Sequence, residues 1–215
     1  MLRVEPYAAQ VAVWPASGRH ILAQYDDSTI VVYQAYRPSI ADFAIAHQRF
    51  GGDFSFDRMS WVKPNFLWMM FRSAWATAEG QERVLALNVR RPVFDGWLRT
   101  SVSSSFDRKI FASKDAWQGA IAASEVRVQW DPDHDPIGKP IERRALQIGL
   151  RGSALAELAG PGLIAVRDVT NFVTEQRSRR GEKAFVGLLT PAERVYKASA
   201  EIAERLRLSP SEEGV

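Results

Sequence analysis

Residues 58–75 read RMSWVKPNFLWMMFRSAW, and this stretch decides the fold. Its three tryptophans are spaced seven residues apart, and Phe66 to Phe71 form an unbroken apolar run. Pro64 fits the first position of a helix, where its missing N–H removes no hydrogen bond. A helix that is apolar on almost every side is predicted to lie at the centre of the domain. The run is too short for a membrane span, which needs about 20 apolar residues.

Two cations, Lys63 and Arg72, lie within this apolar stretch. On one helix Arg72 follows Trp68 by four residues and precedes Trp75 by three, so its guanidinium is predicted to lie against an indole face. A buried cation needs a counter-charge. That partner is either a carboxylate of the chain or an anionic ligand, and the sequence leaves both open.

Length and composition set the class of protein. A chain of 215 residues that is 46% hydrophobic is predicted to form one domain over residues 1–208, with a frayed tail at 209–215. The absence of cysteine excludes disulfides, thiolate zinc sites and a cysteine nucleophile. The first residues, MLRVEPYAAQ, lack the apolar stretch of a signal peptide, so a cytoplasmic location is expected. A net charge of +3 permits a nucleotide or nucleic-acid partner.

Apolar runs between turn residues give the expected order of elements. Strands are predicted over residues 29–36, 84–89, 126–130, 145–150 and 163–166. Helices are predicted over 38–50, 113–121 and 168–173, with Ser113 and Asp168 as N-caps and Gly51-Gly52 ending the first. The segment DPDHDP at 131–136 is predicted to be a turn. Residues 93–105 carry no clear pattern.

The most regular helical pattern lies near the C-terminus. Thr190, Pro191 and Glu193 stand in the order of a cap, a first-turn proline and a capping-box acid. An apolar stripe then predicts one helix through residue 206; its members are Val195, Ser199, Ile202 and Leu206. Docking onto the domain is the simpler role for this stripe, and a partner surface is the other.

Metal binding and nucleophilic catalysis find little support in the motifs. Asp131, Asp133, His134 and Asp135 offer ligands for magnesium or calcium. The prolines at 132 and 136 favour a simple turn instead, and EF-hand spacing is lacking. No metal is therefore expected, and metal-dependent hydrolysis is the third hypothesis. The serines at 101–105 have no recognisable base nearby. The glycines form neither a Walker loop nor a dinucleotide fingerprint.

A set of polar residues remains, embedded in apolar strands or beside the tryptophan helix. These residues are Gln34, Arg37, Ser60, Lys63, Arg72, Gln147 and Arg151. Buried polar groups must be satisfied, so each is either hydrogen-bonded internally or lines a cleft. Several of them together predict a pocket for an anion.

Four segments resemble the family known as the domain of unknown function 4291. They read YDDSTIVVYQAYRPSIADFA, RMSWVKPNFLWMMFRSAWA, VQWDPDHD and ALQIGLRG. The similarity runs from about Arg19 to Thr174, which is most of the chain. It implies membership of a family and no assured activity.

At the level of fold, the order of elements also resembles the ADP-ribosyltransferase superfamily. Those enzymes hold NAD in a cleft between two small sheets, with an Arg or His on an early strand, a Ser or Tyr in a second motif and a Glu on a late strand. The resemblance implies Gln34 or Arg37 in the first place, Ser60 in the second, and Gln147 or Glu142 in the third. Gln147 stands where a glutamate is expected, and glutamine cannot act as a base.

The expected architecture is therefore a single α+β domain, with curved, mostly antiparallel sheets packed on the tryptophan-rich helix. The leading functional hypothesis is an ADP-ribosyltransferase-like protein that binds NAD or a related nucleotide, with RNA or DNA as candidate targets. In this hypothesis the catalytic residues are Gln34, Ser60 and Gln147. The phosphates are expected to contact cations, because Arg forks and Lys charges suit phosphate oxygens; these cations are Arg37, Lys63, Arg72 and Arg151.

The alternative hypothesis is a noncatalytic module that binds nucleic acid or protein. Its support is the mild basicity, the abundant aromatics and the segment QRSRRGEK at 176–183. This segment is predicted to be a mobile basic loop, either a solvated turn or a phosphate-binding loop. Arg177, Arg179 and Arg180 are its exposed candidates for contact with nucleic acid.

Overall fold

Two small sheets organise the chain, and helices cover their faces. The computed structural model describes residues 2–210. Most of the tail expected at 209–215 lies outside these residues. The helices described are α1 (Tyr7–Val11), α2 (Pro38–His47), α3 (Phe66–Ser73), α4 (Arg91–Thr100), α5 (Lys114–Ala123), α6 (Gly152–Ala159), α7 (Thr170–Arg179) and α8 (Ala200–Leu206). The strands described are β1 (Val4–Pro6), β2 (Gly18–Arg19), β3 (Leu22–Ala23), β4 (Thr29–Tyr36), β5 (Ser60–Val62), β6 (Arg83–Arg90), β7 (Val102–Ser103), β8 (Val126–His134), β9 (Pro140–Leu150), β10 (Leu163–Asp168), β11 (Leu189–Pro191) and β12 (Arg194–Val195).

The first sheet has three antiparallel strands in the order β10-β6-β4. Its strands β4 and β6 are buried on both faces. Val32 and Leu87 join one apolar cluster on one side, whereas Val31 and Ala86 join a second cluster on the other. Burial on both faces explains why these strands read as continuous apolar runs. The strands predicted at 29–36, 84–89 and 163–166 are confirmed.

The second sheet has the order β2-β9-β8-β7, and β5 pairs with β9 as well. Its β8–β9 hairpin is longer than the sequence predicts. Strand β8 continues to His134, so the predicted turn at 131–136 is wrong. A register shift between Pro132 and His134 accommodates the proline, which has no N–H for the ladder. The turn lies at residues 135–139, where the Asp135 carboxylate accepts the backbone N–H groups of Ile137 and Lys139.

In the part of the chain that the structure describes, one isolated bridge joins the two sheets along a seam. The N–H of Tyr33 donates to the carbonyl of Lys63 at 2.7 Å, and the N–H of Lys63 returns a bond at 3.1 Å. Tyr33 belongs to β4, and Lys63 follows directly after β5. The bridge therefore places β4 of the first sheet beside the end of β5 in the second.

Helix α3 is the predicted tryptophan-rich helix, and residues 66–70 are buried as expected. It begins at Phe66 and not at Pro64. Asn65 is its N-cap and accepts the N–H of Trp68 at 2.7 Å, a role that proline cannot take. Phe71 and Arg72 are exposed, so the helix is open to solvent on one side.

The C-terminal prediction is wrong at its start. Residues 189–191 form β11, which pairs with β1, and residues 194–195 form β12, which pairs with β3. The helix there is only α8, which Ser199 caps by accepting the N–H of Ile202. Glu193 does not close a capping box of its own helix, because its carboxylate accepts the N–H of Phe66 in α3. Pairing with the N-terminal strands thus overrides a local helix signal.

Other boundaries also move. Helix α2 ends at a left-handed Gln48, with φ of 52°, before the glycine pair is reached. Helix α7 begins after Val169 and runs to Arg179, so much of the loop predicted at 176–183 is helical. Ser113 caps α5 as predicted. The α+β class and the mostly antiparallel sheets are confirmed, and no helix within residues 2–210 has the length and apolarity to cross a bilayer.

Candidate functional site

A pocket of about 390 Å³ opens beside the bridge between the sheets. We call it the seam pocket. It is lined by Gln34, Ala35, Tyr36, Arg58, Met59, Ser60, Trp61, Lys63, Met69, Arg72, Glu79, Gly80 and Gln81. Strand β4, strand β5 and helix α3 each supply one wall. Because these elements meet at the seam, residues far apart in sequence line one cavity.

Four of the polar residues predicted to form an anion pocket line this pocket together: Gln34, Ser60, Lys63 and Arg72. The selection missed other residues that add charge or hydroxyl groups. Arg58 begins the tryptophan stretch, so its position was a usable signal. Tyr36 and Glu79 gave no such signal, because one reads as an apolar strand residue and the other as a loop acid.

A hydrogen-bonded trio forms the inner wall. The side-chain amide of Gln34 donates to the Ser60 hydroxyl at 2.8 Å, and the hydroxyls of Tyr36 and Ser60 lie 2.9 Å apart. Burial raises the pKa of Tyr36, so its phenol keeps its proton. With Tyr36 as donor, Ser60 accepts two bonds and its own hydrogen stays available. Gln34 Oε1 is buried, and nothing in residues 2–210 donates to it.

Lys63 is the buried cation of the pocket. The residue is 6% exposed, and among the described residues its ammonium hydrogen-bonds only the Trp61 carbonyl, at 3.4 Å. Removal from water and repulsion by Arg72 lower the pKa of Lys63 to about 8, while attraction by Asp131 opposes them. The desolvated charge therefore has no carboxylate in direct contact within this part of the chain. Such a charge attracts an anion that enters the pocket.

Arg72 differs from its predicted environment. It is exposed, and the guanidinium that lies over the Trp75 ring, 5.9 Å from its centre, belongs to Arg180. Trp68 stacks instead on Phe71. Since Arg72 lies on the open side of α3, it faces the pocket with its charge in reach of solvent and ligand.

The chain leaves α3 through a left-handed turn. Ala74, Trp75 and Ala76 have φ of 48°, 57° and 64°, a conformation that side chains disfavour. The N–H of Trp75 donates to the Met70 carbonyl at 2.8 Å, which holds the turn in place. This turn directs residues 79–81 back to the mouth of the pocket.

Gln147 lies on β9, beyond the lining of the seam pocket. Its amide donates to Asp131 Oδ2 at 2.7 Å, and Gln129 donates to the other oxygen at the same distance. Asp131 is thus held by two glutamines on neighbouring positions of the hairpin. Its charge raises the pKa of Lys63, which connects this carboxylate electrostatically to the pocket.

Arg37 and Arg151 do not line the seam pocket. Arg37 is exposed and lies 3.5 Å from Asp53. Arg151 donates through Nε to the Ser124 carbonyl at 2.9 Å, and through Nη2 to the Ala122 carbonyl at the end of α5. This guanidinium is used to satisfy the last carbonyls of a helix. Glu142, the other candidate for the third place, is exposed on β9.

Comparison with known families gives one match. The model of the domain of unknown function, DUF4291, covers residues 20–196. The chain belongs to this family. The DUF4291 match extends beyond Thr174 to Tyr196 and so includes Glu193, the carboxylate that holds the start of α3. Among curated proteins, no match was found.

The acidic segment at 131–135 of this DUF4291 domain is engaged in contacts within the chain. Asp133 forms a buried ion pair with Arg143, at 2.7 Å, and is 1% exposed. His134 stacks on Phe71, with ring centres 3.6 Å apart. Across residues 2–210, no cluster of three or more His, Cys, Asp or Glu is arranged to hold a metal.

The arginines of the alternative hypothesis are half-buried and bound to the chain itself, which corrects their expected exposure. Arg177 donates to the Trp75 carbonyl at 3.4 Å, and Arg179 pairs with Glu175 at 3.2 Å. Arg180 lies over the Trp75 ring. Through Arg177 and Arg180, the segment at 176–183 packs against the turn after α3.

Proposed function

We propose that the seam pocket binds NAD or a related nucleotide through its phosphates. The observation that carries this proposal is Lys63, whose buried ammonium forms no ion pair within residues 2–210. It opens onto a pocket with two more cations and one carboxylate, Glu79, so the lining keeps a net positive charge. Uncompensated buried charge destabilises a fold unless a ligand supplies the counter-charge. Phosphate oxygens suit this arrangement of one ammonium, Arg58 and Arg72.

The neutral groups favour a nucleotide over a bare phosphate. Gln34 Oε1 is a buried acceptor that receives no hydrogen bond from residues 2–210. The Ser60 hydroxyl, whose oxygen accepts from the Gln34 amide at 2.8 Å, can donate its own hydrogen to a ligand. A ligand with amide or ribose hydroxyl groups satisfies both, and NAD carries these groups together with two phosphates. Such a match between fixed polar atoms and ligand groups is the usual source of orientation in small-molecule sites.

Transfer of ADP-ribose is the reaction proposed for this pocket. The bond from nicotinamide to ribose breaks with its electron pair going to nicotinamide, and an acceptor hydroxyl attacks the ribose carbon and loses its proton. In this proposal Ser60 orients the nucleotide inside the seam pocket. The ribose extends beyond the pocket lining to Gln147 on β9. Asp131, which accepts from Gln147, is the carboxylate that stabilises the positive charge on the ribose.

Calorimetry at pH 7 with NAD, ADP-ribose and nicotinamide as separate ligands tests the binding step. NAD and ADP-ribose are expected to bind, and nicotinamide alone to bind far more weakly. Lys63→Met should weaken NAD binding by roughly tenfold or more, since a hydrogen bond to a charged group contributes about 1.5–3 kcal/mol. Lys139→Met, at an exposed lysine in the β8–β9 turn, is the matched control.

The reaction is tested separately by incubating the chain and labelled NAD with RNA, DNA or protein. Label transfer or nicotinamide release that Asp131→Asn abolishes, with NAD binding retained, supports the transferase assignment. Binding without either product would restrict the function to nucleotide binding. Absence of NAD and ADP-ribose binding at millimolar ligand would contradict the proposal.

A further inference from the structure

A second concave site lies on the other side of the β8–β9 hairpin from the Gln147 face. Its volume is about 450 Å³, within the range of about 300–1,000 Å³ typical of ligand sites. We call it the arginine groove. Its charged and aromatic lining includes Arg19, Arg108, Arg205, Arg207, Phe111 and Trp130. None of these residues lines the seam pocket.

The groove is strongly cationic. Four arginines face one carboxylate, Asp107, so the lining carries a net charge of +3. Arg207 pairs with Asp107 at 2.6 Å and neutralises it. Arg205 reaches only the Ser101 carbonyl, at 3.4 Å. Within residues 2–210, Arg19 and Arg108 form no ion pair and thus keep their charge for a ligand.

Local structure explains only some of these cations. Arg205 lies in the last turn of α8 and Arg207 directly follows it, where cations favour the helix dipole. Arg108 is exposed on the loop between β7 and α5, and Arg19 comes from β2 near the other end of the chain. Cations from three separate segments therefore converge on one concave surface. The end of α8 alone does not explain this convergence.

Aromatic rings share the concavity with these charges. The Arg19 guanidinium lies 5.9 Å from the centre of the Trp130 ring, whose indole is half-buried. Phe111 is half-buried on the loop that carries Arg108. Rings offer faces on which bases stack, and arginine forks bind phosphates. The serines at 101, 103 and 105, which form part of the wall, add hydroxyl and backbone groups.

We propose that the arginine groove binds single-stranded nucleic acid, with phosphates on Arg19 and Arg108 and a base on Phe111. This site is independent of the ligand of the seam pocket. A short, flexible strand fits a groove of this volume, whereas a rigid duplex keeps its bases stacked inside and presents none to Phe111.

The test is fluorescence anisotropy of labelled ten-nucleotide rU and dT oligonucleotides with the full chain at 50 mM salt. Arg19→Ala/Arg108→Ala is expected to weaken binding at least tenfold. It should also reduce the slope of log affinity against log salt by about 0.7 for each phosphate that the variant no longer binds. Arg90→Ala/Arg167→Ala is the matched control, because it removes the same charge from positions outside the groove. Arg90 directly precedes α4, whereas Ser101 of the groove directly follows it. The ten residues of this helix separate the two positions by about 15 Å.

Phe111→Ala separates base stacking from plain charge attraction. It should weaken oligonucleotide binding about tenfold and leave the affinity for tripolyphosphate unchanged. Lys63→Met should leave oligonucleotide binding intact, so failure of this proposal and failure of the nucleotide site are distinguishable. Circular dichroism and thermal melting establish that each variant is folded.

Four results would overturn the proposal. One is equal weakening of binding in the groove variant and in its control. Another is an oligonucleotide affinity that Phe111→Ala leaves unchanged, which would identify a nonspecific anion surface. A duplex that binds as tightly as the single strand would exclude the single-stranded ligand. Absence of oligonucleotide binding at 20 mM salt would exclude nucleic acid altogether.

Discussion

Glu193 accepts the backbone N–H of Phe66 at 2.7 Å, although 127 positions of sequence separate them. Its second oxygen accepts the Asn65 side-chain amide at 3.2 Å. The first turn of α3 is therefore closed by a carboxylate from the C-terminal segment, 1% exposed. The helix that carries Arg72 toward the seam pocket depends on this remote contact.

Removal of the Glu193 carboxylate should destabilise the fold. Glu193→Ala leaves the Phe66 N–H buried without an acceptor, which costs about 1–3 kcal/mol, and adds a cavity. Glu193→Gln keeps one acceptor oxygen and should cost less than half as much. Urea denaturation at pH 7 gives both values. Equal losses in the free energy of unfolding for the two substitutions would show that the hydrogen bond to Phe66 does not contribute to stability.

Lys63→Met should separate stability from binding. Burial of the Lys63 charge opposes folding, so methionine is expected to raise the free energy of unfolding by about 1–3 kcal/mol. The same substitution should weaken NAD binding. Thermal melting and calorimetry on one preparation provide both measurements. A destabilised variant would mean that the ammonium has an internal partner after all.

Affinity for the nucleotide should fall above pH 8. Because the pKa of Lys63 is lowered to about 8 in the folded chain, the ammonium loses its proton there, and an anionic ligand loses its counter-charge. The unfolded lysine keeps its proton to about pH 10.4, so the free energy of unfolding should rise between these two values. Titrations of NAD from pH 6.5 to 9.5 test the first effect. In Lys63→Met the profile should be flat over this interval.

The buried pair of Asp133 and Arg143 should behave unlike the exposed pairs. Asp133→Ala leaves Arg143, a residue that is 2% exposed, without its carboxylate and is expected to cost about 3–5 kcal/mol. Asp53→Ala, which breaks the exposed contact to Arg37, should change the free energy of unfolding by less than about 0.5 kcal/mol. Denaturation curves for the two variants, measured side by side, give the comparison. A small effect of Asp133→Ala would contradict the importance of the pair.

Glycine should stabilise the turn after α3. Ala74 has φ of 48°, where an alanine pays roughly 1 kcal/mol that glycine avoids. The greater freedom of glycine in the unfolded chain offsets part of this gain, so Ala74→Gly should stabilise by about 0.5 kcal/mol. Ala156→Gly, at an exposed position inside α6, should instead cost about 1 kcal/mol. Two changes of the same sign would refute this reasoning.

The sequence predicts elements well where local pattern and burial agree. Residues 29–36 read as a strand because both faces of β4 are buried, and Ser113 reads as a cap because it makes that bond within its own helix. The C-terminal helix fails because Thr190 and Glu193 use their side chains on distant partners, Gln10 and Phe66. A local capping pattern contains no information about such partners.

The candidate site follows the same division. Gln34, Ser60, Lys63 and Arg72 attracted notice because polar groups in apolar segments need a reason, and they do line one pocket. Arg151 attracted notice for the same reason, but its partners are the final carbonyls of α5. The type of residue predicts that a partner exists, whereas only the fold determines whether that partner is a helix end or a cavity.

The short strands near the N-terminus have a consequence for synthesis. Strand β1 pairs with β11 and strand β3 with β12. The Gln10 side chain donates to the Thr190 hydroxyl across a separation of 180 positions. At roughly 5–20 residues per second, that interval lasts about 10–40 s on the ribosome. Tyr7 and Leu188 belong to the same apolar cluster as Val31, so this cluster is complete only when Leu188 emerges. Until then this apolar cluster is incomplete, and the nascent chain exposes part of the apolar surface that chaperones recognise.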